Sequence, residues 1–488
     1  MRYWVKPFPE ITIKSRSVRK VMMRCLRANI RNTLQRLDPD VGVSDRWDAL
    51  EVHPSGEPGA STRQAMEAAL TRISGIHEIL AMESRDYVSF EDTAERLVPR
   101  WKDAIAGRSF RVSVRRKGTH DFTSMELERY LGGALLQASP SAMVKLTRPE
   151  VEVGLEIRDG RLMLVSHRLP GMGGYPLGTQ GEALALISGG FDSPVATWRM
   201  IRRGLKTHFL FFNLGGPAHE KAVREVAHHV WRRYSASHRV DFISVPFEGV
   251  INEIQRQVPA GMASVVLKRM MIRAANEVAA RIRVPALITG DALAQVSSQT
   301  LVNLGFMDAV SSRPILRPLI ASDKQEIIAD ARHIGTASFA ERLPEYCGVV
   351  SKRPNTRPSA AQVEEAEATF DFDVLDQAIR AASVTRSHRL AEETPQLQEV
   401  RIVDSARALA ADDAVIDIRH PDERERAPLA LPADQLLEIP FFELADRAPM
   451  LPKDRHYLLY CAQGVMSRMQ ALHLADRGMT HFGVYRQD

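Results

Sequence analysis

A glycine-rich loop between an apolar strand and a helix, Ser188-Gly-Gly-Phe-Asp-Ser193, constrains the fold more than any other feature. Residues 183–187 before it have the pattern of a buried strand, and Pro194 suits the first helical turn, where a missing N–H costs nothing. Further apolar strands at 208–213, 240–245 and 286–289 alternate with helical patterns. This alternation predicts a doubly wound parallel sheet.

The loop also predicts an anion site. Its glycines let backbone N–H groups approach an anion closely, and the helix that follows adds the partial positive charge of its N-terminus. It is not a Walker loop, because no Gly-Lys-Ser/Thr follows. The predicted nucleotide contacts in and around this loop are Leu186, Ile187, Ser188, Gly189, Gly190, Asp192, Ser193, Phe211, Phe212, Lys268, Gly290 and Gln299.

Two lysines are candidates for phosphate charge. Lys268 lies in a helical pattern over residues 265–280, and Lys324 follows the cap-like pair Ser322-Asp323. For Lys324, an ordinary exposed helix lysine is the alternative interpretation. We expect Gly290 to permit the close approach of a nucleotide.

The chain of 488 residues has only three cysteines, which excludes a disulfide scaffold and a cysteine-rich zinc framework. No metal-ligand set is predicted. Neither a secretory signal nor a run of about 18 apolar residues is present, so we expect a cytoplasmic protein without a membrane segment.

The three thiols have different settings. Cys461 ends the apolar strand 457–460 and begins a loop before a helix, where backbone N–H groups stabilise a thiolate or persulfide; a buried structural cysteine is the alternative. Cys347 lies between Pro and Gly residues and close to Lys352 and Arg353, so reactive and structural roles both stay open. Cys25 lies on the apolar stripe of a predicted helix and is interpreted as a core residue.

Positive charge is concentrated at the start of the chain, although the net charge is only +5. Residues 1–37 carry ten Lys and Arg residues against the single acid Glu10. A helical pattern over 18–37 places the arginines opposite its apolar stripe. Further arginines lie in the strand and loop near residues 108–117. These charges predict contacts with a nucleic acid backbone, with a solvated helix face as the alternative.

Several segments resemble known families. The loop at 188–193 resembles the PP-loop of ATP pyrophosphatases, and the basic segment 110–118 resembles part of a THUMP domain. The Cys461 loop, with the segment 415–423, resembles a rhodanese domain; many rhodaneses have Arg where Met466 stands, and Arg468 is the candidate replacement. With the segments 213–216, 296–300, 315–319 and 344–348, the whole chain resembles the bacterial tRNA 4-thiouridine synthetase family ThiI, in its long form with a rhodanese domain.

The resemblance implies an α/β multidomain protein. Its expected parts are a ferredoxin-like domain over 1–62, a THUMP RNA-binding domain over 63–167, a doubly wound PP-loop ATP pyrophosphatase domain over 168–358, a helical connector over 359–403 and a rhodanese domain over 404–488.

It also implies a reaction. ATP, as its Mg²⁺ complex, would adenylate the uridine at position eight of tRNA, with Asp192 orienting the loop or the magnesium ion and Lys324 stabilising phosphate charge. A cysteine desulfurase would load a persulfide onto Cys461, and Cys347 would end the transfer in a disulfide with Cys461. The rhodanese domain would also supply sulfur to the thiamine-thiazole sulfur-carrier protein.

Other interpretations stay open. One is a sulfur carrier that acts mainly in thiamine thiazole synthesis, and another is an RNA-binding protein with vestigial catalytic domains; the intact loop and both loop cysteines disfavour the second. The sequence gives no oligomeric state, and a homodimer stands as the candidate assembly.

Overall fold

The computed structural model describes residues 1–46, 49–341, 354–392, 400–410, 412–462 and 464–486. The chain forms two compact units: an N-terminal unit of residues 1–179 with 202–204, and a C-terminal unit of residues 180–201 and 205–488. Cys347 lies outside the described residues. Within the described ranges, no helix is both long and apolar enough to cross a membrane.

The N-terminal unit is built on one eight-stranded sheet. Its strand order is β2-β3-β1-β4-β8-β7-β5-β6. The elements are β1 (Arg2–Pro7), α1 (Pro9–Thr12), α2 (Arg16–Leu34), β2 (Gly42–Arg46), β3 (Ala49–His53), α3 (Ala60–Leu70), β4 (Ile76–Asp86), α4 (Phe90–Ile105), β5 (Ser109–Lys117), α5 (Ser124–Ala138), β6 (Met143–Val144), β7 (Val151–Arg158) and β8 (Arg161–Pro170).

The two modules predicted for this region share that sheet. Strand β4 pairs with β1 on one side and with β8 on the other, both antiparallel. A hairpin turns at Asp159-Gly160: both residues have positive φ, and β7 and β8 pair antiparallel across them. Helix α5 begins with a capping box between Thr123 and Glu126.

The C-terminal unit begins with a six-stranded sheet. Its first elements are β9 (Glu182–Leu186), α6 (Asp192–Arg202), β10 (Lys206–Asn213), α7 (Gly216–Val230), β11 (Asp241–Pro246), α8 (Glu248–Gln257), α9 (Ala263–Arg281), β12 (Leu287–Ile288), α10 (Leu301–Asp308), β13 (Ile315–Leu316), α11 (Lys324–Ile334), α12 (Ala337–Ala340), α13 (Ala360–Ala368), α14 (Phe372–Arg380) and β14 (Ser383–Arg386).

The predicted doubly wound sheet is present. The strand order is β13-β12-β9-β10-β11-β14, and β9 to β13 are all parallel. Residues 183–185 of β9 are fully buried, as expected for a strand covered on both faces. The chain moves outward from β9 first through β10 and β11, then through β12 and β13. The switch point therefore lies beside β9, where ligands of such sheets bind.

The prediction of a helical connector after residue 358 differs from the structure. Strand β14 pairs antiparallel with β11 and forms the edge of the six-stranded sheet. Val363 of α13, Leu375 of α14 and Phe370 in the link between the two helices are buried in the core of the same unit. The segment thus contributes a strand and core residues, and its described part up to residue 392 belongs to the sheet domain.

A second, five-stranded sheet completes the C-terminal unit; we call it the five-stranded region. It is entirely parallel, in the order β15-β19-β18-β16-β17. Its elements are β15 (Ile402–Val403), β16 (Asp413–Asp417), α15 (Pro421–Arg426), β17 (Leu436–Glu438), α16 (Phe441–Arg447), β18 (His456–Tyr460), α17 (Val465–Asp476) and β19 (Phe482–Tyr485).

Candidate active site

A cavity of about 310 Å³ lies at the carboxyl ends of β9, β10 and β12, at the switch point of the six-stranded sheet. All the residues predicted to contact a nucleotide line it: Leu186, Ile187, Ser188, Gly189, Gly190, Asp192, Ser193, Phe211, Phe212, Lys268, Gly290 and Gln299. Residues more than a hundred positions apart in the chain therefore meet at one place. Their individual roles toward a nucleotide stay predictions.

The loop from Ser188 to Ser193 is closed by its own side chains. The Ser188 backbone N–H donates to Ser193 Oγ at 2.8 Å, and the two serine hydroxyl oxygens are 2.9 Å apart. Ser193 is buried at the start of α6, where its carbonyl accepts a hydrogen bond from the Thr197 hydroxyl at 2.8 Å. The loop is thus fixed at both ends before any ligand enters.

Gly290 lines the cavity and also packs against the loop, so the predicted approach of a nucleotide there stays a prediction. A Cβ atom at this position would lie 2.9 Å from the Ser193 nitrogen and 3.0 Å from the Asp192 carbonyl carbon. Neither neighbour is the far end of a flexible side chain, so a larger residue would displace the loop backbone. The close approach that requires glycine here is therefore between two protein segments.

Asp192 is held by two donors. Lys324 Nζ lies 2.8 Å from Asp192 Oδ1, and Gln295 Nε2 donates to Asp192 Oδ2 at 2.8 Å. Lys324 is the first residue of α11, whose N-cap Asp323 accepts from the Glu326 backbone N–H at 2.9 Å, as the cap-like sequence predicts. The lysine ammonium also lies 5.5 Å from the centre of the Phe191 ring. Lys324 therefore contacts the loop directly, and its role toward a phosphate stays a prediction.

A second acid lies in the cavity wall and is missed by the sequence reasoning. Asp291 accepts from the Thr289 hydroxyl at 2.7 Å and lies 3.4 Å from Arg317 Nε. Gln299 Nε2 donates to the same carboxylate at 3.4 Å. Asp291 and Gln295 both belong to the polar segment after β12. Their position after a buried strand is the only sequence signal for them, since the partners are distant in the chain.

His219 on α7 is another cavity residue that the sequence does not identify. Its ring packs edge-on against Phe211, with ring centres 4.8 Å apart, and the side chain is buried. Burial lowers its pKa from 6.5 to about 3. The imidazole is therefore neutral at physiological pH and adds no charge to the cavity.

The Cys461 thiol lies at the carboxyl end of β18, in the loop before α17. Its Sγ accepts from the Ser467 backbone N–H at 3.3 Å and lies 3.5 Å from the Ser467 hydroxyl. Ser467 is fully buried in the first turns of α17. The predicted stabilisation of sulfur by backbone N–H groups thus has a geometric basis.

Arg419 is a buried cation whose charge interacts with the Cys461 thiol. Arg468, the candidate from the sequence, is exposed on α17, and Met466 is a core residue. Arg419 is buried, with Nε 2.9 Å and Nη2 2.5 Å from the oxygens of Asp417. The hydrogen bonds to Asp417 raise the pKa of Arg419, and the nearby Cys461 contributes in the same direction.

The five-stranded region packs against α7 and α8 of the six-stranded sheet. His473 Nε2 on α17 lies 3.0 Å from Glu248 Oε2 on α8, and a Cβ on Gly216 would lie 3.0 Å from His473 Nδ1. One continuous apolar core includes Ile251 of α8 and Leu444 of α16. Cys461 is not among the described residues that line the cavity.

The predicted basic surface is present in the N-terminal unit. Helix α2 has no acidic residue and exposes Arg16, Arg19, Lys20, Arg24 and Arg31. Its other face buries Leu26, Ile30 and Leu34 in the unit's core. Cys25 is half-buried beside this core; its thiol donates to the Leu177 carbonyl at 3.1 Å, and burial raises its pKa. The core interpretation of Cys25 is consistent with this position.

Family models match three parts of the chain. A model described as a ThiI ferredoxin-like domain matches residues 7–79, a THUMP domain model matches 87–166, and a model described as "Thiamine biosynthesis protein (ThiI)" matches 178–372. The fold and the cavity thus define the class: a PP-loop α/β protein with ferredoxin-like and THUMP domains before its nucleotide-type sheet.

Full-length relatives define the family. The chain is 48% identical over 486 residues to a tRNA sulfurtransferase of Klebsiella pneumoniae, and 46% identical to one of Escherichia coli, with 100% of both chains covered in each case. The chain belongs to the ThiI family of tRNA sulfurtransferases.

A solved structure gives the same result. A 4-thiouridine synthetase crystallised in complex with RNA and ATP superposes with a TM-score of 0.66 at 25% identity. The match covers 79% of this chain and 99% of that one.

Proposed function

We propose that this protein transfers sulfur to a uridine of tRNA in an ATP-dependent reaction that yields 4-thiouridine. The observation that carries the proposal is the cavity closed by the Ser188–Ser193 loop, in a chain aligned over its full length with a tRNA sulfurtransferase at 48% identity. The related synthetase solved with RNA and ATP supports the same substrates.

The cavity residues account for the first half of the reaction. The glycine loop and the N-terminus of α6 suit the phosphates of ATP, and Lys324 is close enough to turn from Asp192 to a phosphate. Attack of the uracil C4 oxygen on the α-phosphate releases pyrophosphate and converts a poor leaving group into AMP. Developing charge on the phosphates is stabilised by the loop N–H groups and by Lys324.

Magnesium enters as part of the ATP complex. Within the described ranges, no cluster of three or more His, Cys, Asp or Glu side chains is placed to hold a metal ion. Asp192 offers a single carboxylate beside the phosphate loop, which fits Mg²⁺ because this ion is commonly bound by one or two carboxylates together with substrate phosphates.

The five-stranded region would supply the sulfur as a rhodanese domain. A cysteine desulfurase transfers a sulfur atom to the Cys461 thiolate, and the Ser467 contacts hold the resulting persulfide. The terminal sulfur attacks C4 of the adenylated uridine and AMP leaves. The Cys347 thiolate then attacks Cys461 Sγ, which releases 4-thiouridine and leaves a disulfide that a cellular thiol reductant must reopen.

The need for a reductant favours a cytoplasmic location. The two units would divide the work: we assign tRNA phosphate contacts to the basic surface of the N-terminal unit and chemistry to the C-terminal unit. A homodimer remains our candidate assembly.

A second candidate function is sulfur delivery to the sulfur-carrier protein of thiamine thiazole synthesis. The description of the matching family model as a thiamine biosynthesis protein favours it. This function needs Cys461 and not the ATP cavity, so the two functions are separable by substitution.

The test is to incubate the pure protein with unmodified tRNA, magnesium ATP and a desulfurase with cysteine. Thiouridine is followed by near-UV absorbance, together with AMP and pyrophosphate. We expect all three products from the wild type, none of the thiouridine from Cys461→Ser, and neither AMP nor thiouridine from Asp192→Ala.

Asp192→Ala should still accept a persulfide and pass sulfur to the thiazole carrier, whereas Cys461→Ser should fail at both. Full 4-thiouridine formation by Asp192→Ala would show that the assigned adenylation site is wrong.

A further inference from the structure

We propose that Gln295 is a positioning residue for the adenylation step, whose amide keeps the Asp192 carboxylate in place when Lys324 turns to the phosphates. This inference rests on the proposed function and deepens it.

The geometry around Asp192 separates the two donors. Lys324 uses one carboxylate oxygen and Gln295 the other, each at 2.8 Å. The Asp192 side chain is 23% exposed, and the Lys324 side chain is 39% exposed. Asp192 lines the cavity, and both side chains keep exposed surface that a ligand can contact.

The charges explain why the second donor is needed. One ammonium group cannot keep its short contact with Asp192 and also move to an anionic phosphate. When Lys324 moves, Asp192 would lose a partner at the moment when the phosphates bring more negative charge. The Gln295 amide carries no net charge, so it can hold the carboxylate without being drawn to the phosphates.

The backbone fixes Gln295 in the cavity wall. Ala294, the residue before it, has φ of 62°, a conformation that residues with a Cβ rarely adopt. The Ala294 N–H donates to the Gln299 carbonyl at 2.9 Å, which ties the two ends of the segment together. Strained backbone held by surrounding hydrogen bonds is typical of functional sites.

The oxygen of the Gln295 amide has no donor of its own in the part of the chain that the structure describes. Gln295 Oε1 is shielded from solvent, and none of the described residues donates a hydrogen bond to it. Gln295 also lines the 310 Å³ cavity. A buried acceptor without a donor is costly, so this atom is suited to accept from a bound substrate.

The first test removes the donor and keeps the side-chain length. Gln295→Met should lower the single-turnover rate of AMP formation about 10- to 100-fold, the size expected for one hydrogen bond to a charged group. The equilibrium dissociation constant for ATP, measured without tRNA, should change less than about threefold, because the amide holds Asp192 and not the nucleotide.

The second test uses charge. In Gln295→Glu the introduced carboxyl lies beside Asp192, so in its ionised form it repels Asp192 and competes for Lys324. In its protonated form it can still donate a hydrogen bond. The variant should therefore be most impaired at pH 8 and recover part of its activity toward pH 6. A loss through general damage to the fold would be the same at both pH values.

Gln257→Glu is the matched control. Gln257 is exposed at the end of α8 and does not line the cavity, so the same substitution there should keep the wild-type pH profile and ATP affinity. The proposal is overturned if Gln295→Met reacts at the wild-type rate, if its ATP affinity falls in proportion to its rate, or if Gln295→Glu has the pH profile of Gln257→Glu. Absence of AMP formation by the wild type would instead refute the proposed function.

Discussion

Two acids that line the cavity each lie beside a cation. Asp192 is matched by Lys324, and Asp291 lies close to Arg317. Burial keeps the cavity residue His219 neutral. In the proposed reaction, a bound nucleotide would meet these two carboxylates already paired, and its phosphates would compete with Asp192 for Lys324.

The burial of His219 predicts a pH-dependent stability. Its pKa is lowered to about 3, whereas an unfolded histidine has a pKa near 6.5. The unfolded state therefore binds a proton first as the pH falls, and the stability of the fold decreases below about pH 6.5. Between pH 7 and 5 this one residue should lower the free energy of unfolding by about 2 kcal/mol.

The measurement is the urea unfolding midpoint of the wild type and of His219→Gln at pH 7 and pH 5. Other groups titrate alike in both proteins, and only the wild type loses stability through His219 as the pH falls. Any stability advantage of the wild type over His219→Gln at pH 7 should therefore shrink or reverse at pH 5. A difference that is the same at both pH values would contradict the assigned pKa.

At the scale of elements, helix α13 is attached to α9 by a buried ion pair. Glu367 accepts from Arg269 Nη2 at 2.6 Å and from Arg273 Nη2 at 3.0 Å. Burial disfavours the Glu367 carboxylate, but the hydrogen bonds and charges of both arginines outweigh this and lower its pKa. The segment predicted as a connector is thus held by charge as well as by its apolar residues.

Removing one partner of this pair should destabilise the sheet domain. Glu367→Ala leaves Arg269 buried without its counter-charge, which should lower the free energy of unfolding by about 3–5 kcal/mol. Glu365→Ala, on an exposed position of the same helix, should change it by less than about 0.5 kcal/mol. Chemical unfolding followed by circular dichroism gives both values. Equal, small effects would favour the connector interpretation.

At the scale of the whole molecule, the basic surface and the cavity belong to different compact units. The small net charge of +5 conceals this separation, because acidic residues elsewhere offset the arginines of α2. In the proposed function, the N-terminal unit binds the tRNA phosphates and the C-terminal unit modifies the base.

This division predicts a specific salt dependence of tRNA binding. Neutralising Arg24 and Arg31 together, each to Gln, should weaken tRNA binding and reduce the slope of log affinity against log salt by about 1.5, if each contacts one phosphate. Filter binding at several salt concentrations measures this. The control pair, Arg332→Gln with Arg380→Gln in the C-terminal unit, should leave the slope unchanged, and an equal loss in both pairs would contradict the assignment.

Much of the fold could be predicted because its signals are local. The apolar strand β9, the glycine loop and the start of α6 are consecutive in the chain, and so are β18, Cys461 and α17. Strand period, helix capping and glycine content are properties of neighbouring residues. The sequence by itself therefore determined the sheet type, the loop, the cysteine loop and the basic helix.

Only the tertiary structure decided which distant residues meet. Gln295 and Asp192 are 103 positions apart, and Glu367 and Arg269 are 98 apart. Gly290 packs closely on the loop backbone, a contact that its sequence position does not reveal, and β14, predicted as part of a connector, pairs with β11. Such contacts depend on how strands and helices pack in space, and the periodicity of a sequence contains no information on which partner a polar side chain finds after packing.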